Sequence, residues 1–167
     1  MIDNTKKLVI LSLFLALAII LNIVENVSFS FFFIPGVKLG LANIATIFLL
    51  CYFGYKEMFL VNVLRVVLAS LIVGTLFSIP FTIAIISSIG SMLILYLIYK
   101  LDKLSIFGLS MIQAVLFNIF QIIVVCFLYE SNVFLFYLPY LIISGIATGY
   151  LVALSARYIV KLVDKIA

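Results

Sequence analysis

Seven side chains in this sequence have types and spacings suited to holding a polar guest inside an apolar chain: Glu25, Lys38, Asn43, Asn62, Arg65, Asn118 and Gln121. Arg65 lies in the run VNVLRVVLAS, eight residues past Glu57, or about 12 Å along a helix. Asn62 precedes it by three and shares its helix face. In QAVLFNIFQ, Asn118 and Gln121 share a face, with Gln113 roughly alongside. Asn22 and Glu25 close the first apolar run, and Lys38 and Asn43 stand at the mouth of the second. Charge inside hydrocarbon is costly, so each such group is a functional candidate by default. Two cations opposed by only Glu25 and Glu130 suit an anionic or carbonyl-rich ligand. A structural reading stands beside this one. Arg65 pairs with Glu25, the amides bridge helices as interhelical glue, and Lys38 snorkels to headgroups.

Other chemistry is excluded by residue type. There is no histidine, so neither a His-ligated metal nor a His-based triad can form. No GxxxxGK[ST] loop exists for ATP hydrolysis. Asp3, Asp102 and Asp164 are isolated, so no aspartate pair holds magnesium on a diphosphate. No haem, flavin or iron–sulfur ligand set is present, so a structural role in a redox complex would carry no electrons. The reading therefore assigns no catalytic residue, no metal and no cofactor.

The elements that position these groups follow from composition. The chain has 167 residues, of which 68% are hydrophobic and 10% charged. A soluble domain is nearer half apolar and a quarter charged, and one core of this size could not hide so much apolar surface. The expected class is an all-α membrane protein, a single membrane domain over 1–167. Six apolar runs read as spans: 8–24, 39–55, 58–73, 79–99, 106–129 and 133–160. The second and third are short, separated only by Tyr55-Lys56-Glu57, and should form a tight antiparallel hairpin. The first follows Lys6 and Lys7 like a signal peptide, but it is long and lacks an A-x-A-like site, so it reads as a retained span.

Orientation follows from the basic residues. With the N-terminus inside, Lys6, Lys7, Lys56, Lys100, Lys103, Arg157, Lys161 and Lys165 are cytoplasmic, eight of ten. Both termini are then cytoplasmic. The net charge of +4 is explained by this bias, and nothing points to nucleic acid. Cys51 and Cys126 fall near opposite membrane faces, so no disulfide is expected. Two smooth faces remain. Gly145, Gly149 and Ala153 recur every four residues, and Ser12 and Ala16 do the same in the first run. Small residues at this spacing serve close helix approach, either within the bundle or against another membrane subunit.

PGVKLGLANI, Pro35 to Ile44, and LALAIILNIVEN, with its acidic end before an aromatic-rich loop, carry a resemblance. The sequence resembles the bacterial membrane proteins named heptaprenyl diphosphate synthase component I, also called the Gx transporter family, and the hydropathy pattern extends this over almost the whole chain. The first name implies a subunit for making long isoprenoid diphosphates, although the aspartate-rich motifs of such synthases are missing here. The second implies a relation to the substrate-binding S component of energy-coupling factor transporters, with six spans in the bacterial cell membrane. That resemblance implies a small-molecule ligand, a transmembrane coupling subunit docked on Ser12 and Ala16, and two cytosolic ATPases. It also suggests a reading of the second run: Pro35 and Gly36 turn the chain, and Lys38 with the helix N-terminus offers positive potential to a ligand. A vitamin-like or prenyl-related compound is the expected cargo. The alternative is a non-catalytic membrane partner that recruits a prenyl synthase to its basic rim.

Overall fold

A computed structural model describes residues 4–29, 43–101 and 104–166, with side chains over 4–25, 43–101 and 104–161. Among the described residues every regular element is helical. The order is α1 (Asn4–Phe29), α2 (Asn43–Tyr52), α3 (Tyr55–Val73), α4 (Ile79–Tyr99), α5 (Ile106–Leu128), a 3-10 turn (Asn132–Tyr137) and α6 (Leu138–Ile166).

The boundaries have local causes. Two-residue Phe53-Gly54 joins α2 to α3, with Gly54 at φ 98°, a backbone state costly for any residue with a Cβ. This is a tighter hairpin than one turning through Tyr55-Lys56-Glu57, which instead form the first turn of α3. Gly74, at φ 75°, ends α3 by donating to the Leu71 carbonyl, while Thr75 donates to Ser70. Pro80 sits in the first turn of α4, where its missing N–H costs nothing. The Ser105 hydroxyl caps α5 by accepting from Gly108 N at 3.3 Å.

Neighbouring helices form an open arc in which α1 packs on α3, α3 on α4, α4 on α5 and α5 on α6, with α2 bridging its two ends. The short α2 lies inside, touching α1, α3, α5 and α6. Six consecutive α2 residues, Ala45 to Leu50, are buried, as a helix apolar on every side must be. Phe14 of α1 stacks on Phe48 at 4.0 Å between ring centroids. The direction of the helices is set by cross-links. Tyr55 at the start of α3 donates to the Met92 carbonyl late in α4. Ser110 of α5 donates to Gly149 O of α6 at 2.7 Å, and Asn118 donates to Leu141 O at 2.7 Å. Rising numbers on α5 thus meet falling numbers on α6, and the two are antiparallel. The start of α1 meets the start of α3 through Lys7 and Glu57, whose ammonium and carboxylate pair. That pair holds the Glu57 carboxyl below its ordinary value.

Large apolar side chains face outward along the helices, among them Leu8, Leu13 and Ile20 of α1, Leu93 and Leu97 of α4, and Ile143 and Leu151 of α6. The buried set meanwhile includes Glu25, Asn62, Arg65, Ser87, Ser88, Ser91, Gln113 and Gln121. An apolar exterior around an apolar core that also encloses polar groups is unlike a soluble domain and suits a protein bathed in lipid. Four segments are long and apolar enough to cross a membrane: Asn4–Glu25, Ile79–Tyr99, Ile106–Leu128 and Asn132–Lys161.

Six helices therefore occupy the six expected runs, but four of them meet the requirements of a span. Within the described residues α2 has 10 residues, about 15 Å of helix against a hydrocarbon core of about 30 Å. The expected segment 39–55 extends into 39–42, outside the described residues. Helix α3 has 19 residues but carries Lys56, Glu57 and Arg65. Cys51 and Cys126 are both free thiols.

Candidate functional site: a polar cavity shared by six helices

One cavity of about 50 Å³ lies where all six helices contribute a side chain. The last turns of the described part of α1 bring Asn22 and Glu25, and the first residue of α2 brings Asn43. Arg65 and Val66 come from the middle of α3, Ala84 from the early part of α4. Ala114, Phe117 and Asn118 line it from α5, and Thr148 from α6. On α1 the cavity lies far from the N-terminal end, and on α6 far from Arg157 and Lys161. The exposed cations Lys6, Lys56, Lys100, Arg157 and Lys161 thus gather at the opposite end of the bundle.

Arg65 is the one cation among the described residues lining the site and is 5% exposed. Its guanidinium has five N–H donors in a rigid fork. Nη1 donates to Asn43 Oδ1 at 3.4 Å, a long contact, and Nε has no partner among the described residues. The Glu25 carboxylate, 3% exposed, lines the same cavity and acts on the Arg65 charge. An uncompensated arginine so deep would be strongly unfavourable, and Glu25 is the group that offsets it. The carboxamide of Asn118 is anchored through its Nδ2 to Leu141 O, and Thr148 Oγ1 donates to Gly145 O at 3.3 Å. These fixed amides and hydroxyl, with Phe117 as an apolar wall, form a preorganised lining for a small polar group.

Of the seven ligand-holding residues expected from the sequence, four meet here: Glu25, Asn43, Arg65 and Asn118. Asn62 and Gln121 do not line the cavity. Asn62, one turn from Arg65, turns to α4, where its Nδ2 donates to Ser88 Oγ and lies 3.0 Å from Met92 Sδ. Gln121 is buried in α5, its Oε1 without a partner among the described residues. Lys38 lies outside the described residues. Gln113 belongs to a second polar cluster, donating to Ser91 Oγ at 3.4 Å, while Ser91 donates to Ser88 O. Thr148, Phe117 and the serines of α4 were not singled out in the sequence. Ser87, Ser88 and Ser91 share one face of α4, a repeat of hydroxyls within an apolar run that could have marked them.

The small-residue faces divide. Gly145 and Gly149 are filled by α5. A Cβ on Gly149 would lie 2.7 Å from Met111 Cα and 3.0 Å from Ser110 O, and one on Gly145 would lie 2.9 Å from Asn118 Nδ2. Of the two uses expected for that face, the geometry gives close approach within the chain. Ser12 and Ala16 face outward on α1.

A family model described as heptaprenyl diphosphate synthase component I matches residues 14–159. The chain belongs to that family. The matched stretch runs from α1 to α6 and so includes every residue lining the cavity. The family's name makes its members one component of a synthase. No curated protein and no solved structure matches the chain. Among the described residues there is no cluster of three or more His, Cys, Asp or Glu side chains able to hold a metal ion.

Proposed function

We propose that this chain is a non-catalytic, substrate-binding membrane subunit for uptake of a small molecule, similar in role to the S component of energy-coupling factor transporters. The observation that carries the reading is the convergence of six helices on one polar cavity holding a buried Arg65. Buried arginine in hydrocarbon costs stability, and a binding site is a reason to retain it. In this reading the bundle crosses the bacterial cell membrane six times with both termini in the cytoplasm. The gathering of cations at the end away from the cavity supports that orientation. The cavity then opens on the outer half, and its occupant is the cargo. The outward Ser12 and Ala16 would dock a transmembrane coupling subunit, with two cytosolic ATPases supplying energy. Binding must differ between outward and inward states for such a cycle to move substrate.

The test is mass spectrometry of small molecules retained by the gently extracted protein, repeated on Arg65→Ala. A compound retained by the wild type and lost from the variant supports the reading. Equal retention by both removes Arg65 from the site.

A second reading rests on the family description: a membrane partner of a prenyl diphosphate synthase, recruiting the soluble enzyme to the cationic end. Affinity capture separates the two. A coupling subunit with ATPases supports uptake, and a prenyl synthase supports recruitment.

A further inference from the structure

On the binding-subunit reading, the walls of the cavity narrow the class of ligand. Among the described residues the lining has one cation and one carboxylate, Arg65 and Glu25. Both are more than nine-tenths buried, and each acts on the other's charge, so the formal charges cancel across the site. The remaining polar lining is neutral: three amides and a hydroxyl. Arg65 keeps an unpartnered, buried Nε donor among the described residues, and its Asn43 contact is long enough to be exchanged for a better one. The cavity volume of about 50 Å³ holds a head of about three to five heavy atoms, at roughly 10–15 Å³ for each water-sized centre.

We propose that the cavity receives the head of a zwitterionic amino-carboxylate, its acceptor oxygens toward Arg65 and its donor nitrogen toward Glu25. Such a head is net neutral and matches a site of one cation and one anion without leaving either unopposed. Its few atoms suit the volume. A diphosphate suits it badly. It is bulkier and brings several negative charges to a cation that Glu25 already opposes, so it would be desolvated without compensation. A bare carboxylate leaves Glu25 facing extra negative charge, and a bare amine leaves Arg65 facing extra positive charge. The chain would then handle a compound unlike the diphosphate in its family's name.

The experiment uses the full chain in lipid nanodiscs and a matched set of probes: glycine, acetate, methylamine, inorganic pyrophosphate and farnesyl diphosphate. Thermal shift gives the affinities, and competition by pyrophosphate separates headgroup binding of farnesyl diphosphate from binding of its tail. Glycine should bind about tenfold or more tightly than acetate, methylamine or pyrophosphate, as expected when a buried partner charge is left unmatched. Glu25→Gln should reverse the order of glycine and acetate. Should that variant not fold, the wild-type ranking alone decides. Pyrophosphate or farnesyl diphosphate bound most tightly, or acetate equal to glycine on the wild type, overturns the ligand class and leaves the binding-subunit reading standing. No shift with any probe, together with no retained small molecule, overturns both.

Discussion

Gly149→Ala tests the antiparallel fit of α5 and α6, on which the cavity walls Asn118 and Thr148 depend. The added methyl carbon would sit 2.7 Å from Met111 Cα and 3.0 Å from Ser110 O. Ordinary carbon–carbon contact is about 3.5–4.0 Å, so α5 must retreat by roughly 1 Å. The obstacle is backbone, which cannot rotate away as a side chain would. Overpacking of this kind costs about 1–3 kcal/mol. The 2.7 Å bond from Ser110 Oγ to Gly149 O stretches at the same time, adding about 0.5–1.5 kcal/mol if lost. The better helix propensity of alanine returns up to about 1 kcal/mol. The net is a loss of about 2 kcal/mol, or roughly 4–8 °C in Tm for a chain of this size. The assay is thermal unfolding in nanodiscs with Gly108→Ala as control. There the new carbon would meet only the Leu104 side chain at 3.4 Å or beyond, so the control should equal the wild type or exceed it by up to about 1 kcal/mol of helix propensity. A Gly149→Ala protein as stable as the control would show that the two helices do not meet at this register.

Three further outcomes follow from the same geometry. Arg65→Met should lower stability by about 3 kcal/mol because it strands the buried Glu25 charge, and adding Glu25→Gln should recover part of that loss; additive melting shifts in the double-mutant cycle would show that the two do not interact. Glu57 has a folded pKa below its ordinary 4.5, so its pairing with Lys7 stabilises above that value and is lost as pH falls through the lower folded one. The pair is partly exposed, so the effect is at most about 1 kcal/mol, and a melting profile between pH 6 and 3 that Glu57→Gln leaves unchanged would contradict it. Asn62→Leu should leave ligand retention intact, since Asn62 ties α3 to α4 outside the cavity, and should change stability by no more than about 1 kcal/mol because half its amide is unpartnered. Loss of the ligand in that variant would place Asn62 in the site.

The amino-acid sequence alone determined the class of protein and the positions of six helices. Both are local matters. A run of apolar residues reads as helix in lipid whatever its neighbours are, and Gly54, Gly74, Pro80 and Ser105 punctuate the runs by their own backbone chemistry. The odd residue, Arg65, was equally legible because its cost in hydrocarbon does not depend on which helix faces it. Only the tertiary structure decided which polar groups meet. Asn62 and Arg65 are three residues apart on one face, yet one reaches α4 and the other the cavity. The same happens to Asn118 and Gln121. A one-turn step along a helix changes the depth, and depth selects different neighbours. Helix α2 makes the point for the apolar residues. A side chain facing lipid and one facing protein are both greasy, so hydropathy cannot tell a span from a buried core helix. Burial of Ala45 to Leu50 and contacts with α1, α3, α5 and α6 show that α2 is enclosed by protein. The glycines of α6 close the case: their spacing announces a close approach, but only the position of Met111 reveals that the approaching surface belongs to α5.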